Sequence, residues 1–106
     1  MAVAMLQTAE MFTKEMYDQL NEKMFGHKGI RPEEAPEGLI LHSAGQGDRG
    51  WYVYDIWESR EAFQRFMDEK LMPAFSEVMG DQPPPPEAAP QFYDVQVVVM
   101  PRQPAT

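Results

Sequence analysis

The side chains best suited to acid–base chemistry in this 106-residue chain are His42 and Asp55. His42 interrupts a short apolar run, and Asp55 lies in an aromatic and β-branched segment that is typical of a strand. A carboxylate that accepts a hydrogen bond from one ring nitrogen of a histidine fixes its tautomer and prepares the other nitrogen for proton transfer. We therefore predict a catalytic pair in which His42 is the acid–base group and Asp55 orients it.

The position of one turn decides whether these two side chains meet. A hairpin turn centred on residues 47–48 pairs His42 with Val53, which makes His42 and Asp55 diagonal neighbours on one face of the sheet. A register shift of one residue moves His42 to the opposite face. On the predicted register, the alternative to catalysis is a structural hydrogen bond that satisfies two half-buried polar groups.

Large aromatic side chains surround the pair and suit a flat, hydrophobic ligand. Alternation along residues 51–57 places both tryptophans on the same face as Asp55. The predicted substrate-binding residues are Trp51, Tyr54, Trp57, Phe63 and Phe66. For the tryptophans the alternative is ordinary core packing, and for Tyr54 it is a subunit interface.

Absent residue types and motifs exclude several kinds of site. The chain has no cysteine, which excludes disulfides and thiol nucleophiles. Its two histidines lack the spacing of a metal site. The glycines of residues 45–50 have the dinucleotide-binding spacing but lie in a turn, not between a strand and a helix. We therefore expect no metal and no organic cofactor, so that catalysis would rely on positioning and desolvating a reactive substrate.

Charge and hydropathy narrow the possible partners. The net charge of −8 repels phosphate backbones, and no cluster of lysines or arginines overcomes it, so we expect no nucleic acid partner. No apolar run approaches the roughly 20 residues of a membrane span. The first residues lack the basic region of a signal peptide. These features predict a cytoplasmic protein that does not bind membranes.

Four strand-like segments and two helix-like segments must position the predicted site. The strands are predicted at residues 2–6, 38–45, 51–57 and 92–100. The first helix is predicted to follow an N-cap at Thr13, to carry Tyr17 on its apolar stripe and to end at Gly26. The second follows an N-cap at Ser59, with a kink or restart at residues 72–73 because proline disrupts a helix interior.

The resulting order, β-α-β-β-α-β, is that of the ferredoxin-like α+β folds, in which a four-stranded antiparallel sheet carries both helices on one face. One domain is predicted for residues 1–100, with a proline-rich spacer at residues 83–90 and a flexible tail at residues 101–106. A domain of this size buries a limited core. The last predicted strand is also more apolar than an exposed edge tolerates. We therefore expect a homodimer in which a second copy covers the other face of the sheet.

Three groups of residues follow one another along the chain: Pro36-x-Gly38-Leu39-x-x-His42-x-Ala44-Gly45, then Gly50-Trp51-x-Val53-x-Asp55-x-Trp57-Glu58-Ser59-x-Glu61-Ala62-Phe63-x-x-Phe66, then Leu71-x-Pro73 with the prolines of residues 83–86. Together they resemble small bacterial proteins of the dimeric α/β-barrel superfamily, which includes the antibiotic biosynthesis monooxygenase domains. The resemblance extends along about the whole chain. It implies a homodimer in which two four-stranded sheets close a barrel, with a small hydrophobic cavity between sheet and helices in each subunit.

The resemblance also limits the expected activities. Characterised relatives include cofactor-free monooxygenases of aromatic polyketides, haem-degrading enzymes, lactone isomerases and polyketide cyclases, and the shared fold does not choose among them. We expect a cofactor-independent monooxygenase or cyclase/isomerase acting on a hydrophobic aromatic or polyketide-like molecule. The alternative is a non-catalytic ligand-binding or accessory protein with the same pocket.

Overall fold

A computed structural model describes residues 1–80 and 85–101 of the chain. Its strands and helices are β1 (Val3–Thr8), α1 (Lys14–Phe25), β2 (Leu39–Gly47), β3 (Gly50–Trp57), α2 (Arg60–Phe66), α3 (Met72–Met79) and β4 (Gln91–Asp94). The strands form one sheet in the order β2-β3-β1-β4, and every neighbouring pair is antiparallel. The predicted α+β class and four-stranded antiparallel sheet are confirmed, and the topology is compatible with a ferredoxin-like fold.

The two predicted helix starts are confirmed by side-chain caps. The Thr13 hydroxyl accepts a hydrogen bond from the Met16 backbone N–H at 3.1 Å, and the Ser59 hydroxyl accepts one from Ala62 at the same distance. Such caps satisfy backbone N–H groups that have no partner within the first helical turn. α1 ends at Gly26 in a left-handed conformation, with φ of 85°.

The second helix does not break at its proline. α2 continues through a π-helical turn, Met67–Leu71, directly into α3, and the residues at both junctions keep right-handed helical angles. Pro73 has no N–H to donate, and its ring crowds the carbonyl four residues earlier. We infer that the wider π-helical turn before Pro73 relieves this crowding, so the predicted kink or restart takes the form of a local widening.

The hairpin between β2 and β3 turns one residue later than predicted. Gly47 pairs with Gly50, so the two-residue turn is Asp48-Arg49, and the predicted pairing of His42 with Val53 is wrong. A turn displaced by one residue shifts each pairing by two, so His42 keeps its predicted face and lies directly opposite Asp55.

Gly50 permits this turn because its φ is 114° and a Cβ there would lie 2.1 Å from the Ala9 carbonyl oxygen.

The last strand is shorter than predicted. β4 pairs with β1 only as far as Asp94 opposite Val3, followed by one hydrogen bond from the Val95 N–H to the Ala2 carbonyl. β1 begins at Val3, so within the described part of the chain no strand lies beside β4 beyond Asp94. Residues 96–100 are accordingly exposed and irregular.

Part of the predicted spacer is packed against the sheet. Pro86–Ala88 forms one 3₁₀ turn in which Ala88 is fully buried, and its carbonyl accepts a hydrogen bond from Gln7 Nε2 at 2.8 Å. Residues 83–84 of the spacer and residues 102–106 of the predicted tail lie outside the described residues.

The two faces of the sheet differ in their cover. The core lies between the sheet and the helices and is built around Met5, Trp57 and Phe63. The opposite face carries Leu6, Leu41, Tyr52, Tyr54, Ile56 and Tyr93, which are half-buried or exposed. Among the described residues, no helix is long and apolar enough to cross a membrane.

Candidate active site

The predicted contact between His42 and Asp55 is confirmed. His42 Nδ1 and Asp55 Oδ1 lie 2.7 Å apart, and the Trp57 indole N–H donates to Asp55 Oδ2 at 3.2 Å. Asp55 is only 4% exposed, so its carboxylate depends on these two partners in place of water. The strand pairing explains the contact, because β2 and β3 place the two residues opposite each other on the helix-covered face. Whether the pair is catalytic stays a prediction.

Tyr17 extends the pair into a chain of three groups. Its hydroxyl oxygen lies 2.6 Å from His42 Nε2, and the planes of the two rings are nearly parallel, with 6° between them. An ionised Asp55 only accepts hydrogen bonds, which assigns the proton of the neutral imidazole to Nδ1. His42 Nε2 then accepts the hydrogen bond that the Tyr17 hydroxyl donates. We call this chain of Asp55, His42 and Tyr17 the relay.

The sequence predicts Tyr17 only as a member of the apolar stripe of α1. The Thr13 cap sets the start of the helix, and Tyr17 follows one turn later, facing the sheet. A signal for its role was present, since a tyrosine on a buried stripe needs a partner for its hydroxyl. Nothing local in the sequence named His42 as that partner, because the two residues are brought together only when α1 packs on the sheet.

The environment of Tyr17 keeps its hydroxyl protonated. Burial raises the pKa of Tyr17 above its ordinary value of 10.0. The Asn21 amide lowers this pKa by a smaller amount, and the charges of Asp55 and Asp18 raise it. Desolvation and nearby negative charge both disfavour a tyrosinate. The hydroxyl is therefore a stable hydrogen-bond donor to His42 at neutral pH.

A cavity of about 120 Å³ lies between the helices and the sheet. All three residues of the relay line it, and the rest of its wall is mostly apolar. Four of the predicted substrate-binding residues also line it: Trp51, Trp57, Phe63 and Phe66. Trp57 is only 1% exposed and packs its ring against both phenylalanines, at centroid distances of 5.7 and 5.5 Å.

The structure does not bring Tyr54 to this cavity. Successive residues of a strand point to opposite faces, so Tyr54 shares the uncovered face with Tyr52 and Ile56, opposite Asp55. Its strand neighbours confirm this position, because it pairs with Ser43 on one side and Leu6 on the other. Tyr54 is therefore a candidate for an interface and not for the binding site.

A β-bulge gives the cavity an additional wall residue. The register between β2 and β3 shifts between Leu39 and Leu41, so that Leu39 pairs with Trp57 while Leu41 pairs with Ile56. Without the bulge, Leu39 and His42 would face opposite sides of the sheet. With it, both line the cavity.

The second histidine, His27, forms a separate pair in the loop after α1. His27 Nε2 lies 2.8 Å from Glu34 Oε2, and Glu34 Oε1 accepts a hydrogen bond from the Arg31 backbone N–H at 3.0 Å. Hydrogen bonding to Glu34 raises the pKa of His27, and the same bond lowers the pKa of Glu34. This pair does not line the cavity. Within residues 1–80 and 85–101, no three His, Asp or Glu side chains are grouped as metal ligands would be.

Comparison with known proteins does not identify the chain: no protein-family model matches it, and no curated protein is significantly similar to it. The resemblance to the dimeric α/β-barrel superfamily therefore rests on the motifs of the sequence. The geometry of the cavity and the relay is the remaining guide to function.

Proposed function

We propose that this protein binds a small, hydrophobic, single-ring molecule in the cavity and acts on it by proton transfer without a cofactor, as a monooxygenase or a cyclase/isomerase. One observation carries the proposal: the hydrogen-bonded relay of Asp55, His42 and Tyr17 forms part of the wall of an otherwise mostly apolar cavity. An apolar cavity with a few converging polar groups is the usual form of a small-molecule site.

The size of the cavity favours a single ring. Its volume of about 120 Å³ is comparable to that of an engineered cavity of roughly 150 Å³ that binds benzene in another protein. Sites for drug-sized ligands measure roughly 300–1,000 Å³. A polyketide of several fused rings would need the helices to move apart, whereas one aromatic or alicyclic ring would not.

The relay suits the removal of a proton from a carbon or oxygen acid. A proton from the ligand would move to the Tyr17 oxygen while the Tyr17 proton moves to His42 Nε2. The raised pKa of Tyr17 disfavours a free tyrosinate, so the two transfers have to be coupled. The carboxylate of Asp55 would stabilise the resulting imidazolium, as expected for a buried acid that orients a histidine.

Both enzyme classes can begin with this step. In an isomerisation or cyclisation, the enolate formed rearranges and then takes the proton back from His42 through Tyr17. In a cofactor-free oxygenation, the carbanion formed at a CH₂ carbon supplies the electrons that reduce O₂. It adds O₂ and takes up a proton to give a hydroperoxide, which loses water and leaves a carbonyl group on the ring. The relay itself does not distinguish the two.

The accessibility of His42 supports catalysis over a purely structural role. Its side chain is 22% exposed and lines the cavity, whereas the Asp55 side chain behind it is 6% exposed. A hydrogen bond that served only to satisfy buried polar groups would need no opening towards a cavity. The non-catalytic ligand-binding protein remains the competing proposal, and turnover separates the two.

The test is proton exchange in D₂O, followed by ¹H NMR, with a panel of single-ring ketones that includes cyclohexanone. We expect the protein to accelerate exchange of the α-protons of at least one ketone, and we expect His42→Gln to reduce that rate by about 100-fold or more. His27→Gln is the matched control and should leave the rate unchanged. Exchange at the buffer rate for every ketone would favour the non-catalytic alternative. Parallel O₂ uptake measurements with single-ring phenols test for oxygenation.

We also propose that two copies of the chain form a homodimer through the uncovered face of the sheet. That face carries half-buried Leu41, Tyr54 and Ile56, and Tyr93 is 50% exposed. Val97, Val99 and Met100 beyond β4 are more exposed still. Exposed and half-buried apolar side chains grouped in this way are typical of an interaction site.

Sedimentation equilibrium at micromolar concentration tests the homodimer. We expect a mass of about twice 12.2 kDa. Ile56→Glu should shift the protein to monomer by placing a charge in the interface, while Gln19→Glu on the exposed surface of α1 should not. A wild-type monomer at all concentrations would contradict the homodimer and leave the cavity proposal standing.

A further inference from the structure

Two buried hydrogen-bond donors in the cavity wall have no partner within residues 1–80 and 85–101. Asn21 is 4% exposed, and neither its Nδ2 nor the indole Nε1 of Trp51 finds a hydrogen-bond acceptor among the described residues. Both residues line the cavity. A buried N–H without an acceptor costs free energy, so native structures leave few of them.

Both donors belong to residues close to Tyr17, the last member of the relay. Asn21 follows Tyr17 by one turn of α1, close enough for its amide to influence the Tyr17 hydroxyl without forming a hydrogen bond of normal geometry. The ring of Trp51 lies 5.4 Å from the ring of Tyr17. The other tryptophan provides a contrast, because the Trp57 indole already donates to Asp55.

We propose that Asn21 and Trp51 bind an acceptor oxygen of the ligand, the carbonyl oxygen of a neutral ring ketone, and stabilise the negative charge that develops on it as the relay removes a proton. This inference rests on the proposed function of the cavity and adds the chemistry that its ligand must carry. Preorganised donors aimed at a developing oxyanion are among the most effective devices in enzymes.

The charges around the cavity favour a neutral ligand. No lysine or arginine appears among the described residues that line it, and Asp55 contributes a negative charge. A carboxylate ligand would meet that charge without a cation to balance it. A neutral carbonyl oxygen satisfies both donors without this penalty.

Asn21 is also a poor choice for packing alone. Its neighbours on the cavity side of α1, Leu20 and Met24, are apolar, and leucine is a better helix former than asparagine. If Asn21 serves ligand binding, Asn21→Leu should raise the melting temperature of the free protein and at the same time weaken its binding of a ketone. If Asn21 had only a structural role, Asn21→Leu would not raise the melting temperature while weakening ketone binding.

The experiment compares cyclohexanone with methylenecyclohexane, which has nearly the same shape but a CH₂ group in place of the oxygen. Titrations of ¹⁵N-labelled protein report on the two indole N–H groups, which Trp51→Phe assigns. We expect cyclohexanone to shift the Trp51 resonance saturably and the Trp57 resonance less. Methylenecyclohexane should bind about tenfold more weakly, and Asn21→Leu should remove most of that difference.

The outcomes separate the inference from the proposed function. Equal affinity for the two probes, or a ketone affinity unchanged in Asn21→Leu, would overturn the recognition of an oxygen while leaving a ligand-binding cavity. Failure of both probes, and of the other single-ring ketones, to shift either indole resonance would overturn the inference and the proposed cavity function together. A selective shift at Trp51 with preference for the ketone would support both.

Discussion

The chain contains two histidine–carboxylate pairs with almost the same separation and very different surroundings. His42 and Asp55 lie 2.7 Å apart on neighbouring strands, and His27 and Glu34 lie 2.8 Å apart within one loop. The Asp55 side chain is 6% exposed and the Glu34 side chain is 26% exposed. The distance between histidine and carboxylate therefore does not indicate the function of a pair. The two pairs differ in the groups that surround them.

The surroundings determine what each pair can do. The loop pair binds its own backbone at Lys28 and Arg31, which ties the loop together, and water competes for each of its charges. The buried pair is joined to Trp57 on one side and to Tyr17 on the other, and it reaches a cavity. A pair whose carboxylate is shielded from water and which is connected to a ligand site is suited to proton transfer, whereas a half-buried pair within one loop is suited to holding that loop.

The largest expected difference between the pairs is in stability. Asp55→Ala removes the carboxylate that accepts hydrogen bonds from the His42 Nδ1–H and from the Trp57 indole N–H. Both donors lose their acceptor, so we expect the free energy of unfolding to fall by about 3 kcal/mol. Glu34→Ala, where water replaces the carboxylate, should change the unfolding midpoint little. Urea denaturation followed by tryptophan fluorescence measures both. Similar losses of unfolding free energy in the two variants would show that the burial of Asp55 does not make its pair more important for stability.

The next largest effect concerns the third member of the relay. Tyr17→Phe removes only the hydroxyl, so we expect about a 100-fold loss in the rate of ketone proton exchange with little change in fold. Tyr93→Phe is the matched control, because Tyr93 lies on the uncovered face and its hydroxyl donates to Gln91. If the Tyr17→Phe rate equals that of the wild type, the base is His42 alone.

A smaller effect is expected at alkaline pH. The folded-state pKa of Tyr17 is raised above 10.0, so the unfolded chain loses that proton first and the stabilising contribution falls as pH rises from about 10 through the folded value. Tyr17→Phe should therefore lose less stability than the wild type over this range. Urea denaturation at pH 9 and at pH 11 compares the two. If the wild type and Tyr17→Phe lose the same unfolding free energy between pH 9 and pH 11, the Tyr17 hydroxyl is solvated.

The smallest effect is predicted for the loop pair. The pKa of His27 is raised above 6.5, so its contribution is complete below that pH and is lost as pH rises through the folded value. The pKa of Glu34 is lowered below 4.5, so its contribution is present above that pH and is lost as pH falls through the folded value. The pair therefore contributes most to the stability of the folded protein between pH 4.5 and pH 6.5.

NMR titration of the His27 ring checks this assignment. Glu34→Gln should return the His27 pKa towards its ordinary value, and the resonances of the His42 ring should not move with it. A His27 pKa that stays raised in Glu34→Gln would mean that another group, such as the Lys28 carbonyl, causes the shift.

The sequence by itself determined the features that depend on local chemistry. The helix caps at Thr13 and Ser59 follow from side chains that satisfy their own backbone, and the element order follows from hydropathy. The shared face of His42 and Asp55 was also predicted correctly. The turn was placed one residue too early, and such an error changes each pairing by two residues and preserves the face.

Tertiary structure decided the features that depend on long-range neighbours. Tyr17 joined the relay only because α1 packs against the sheet, and Leu39 reached the cavity only through a bulge. β4 ends where its partner strand ends, although its sequence favours a longer strand. In each case the residue type was compatible with several surroundings. Contacts between distant segments determined the surroundings, and the local sequence does not indicate the free energies of those contacts.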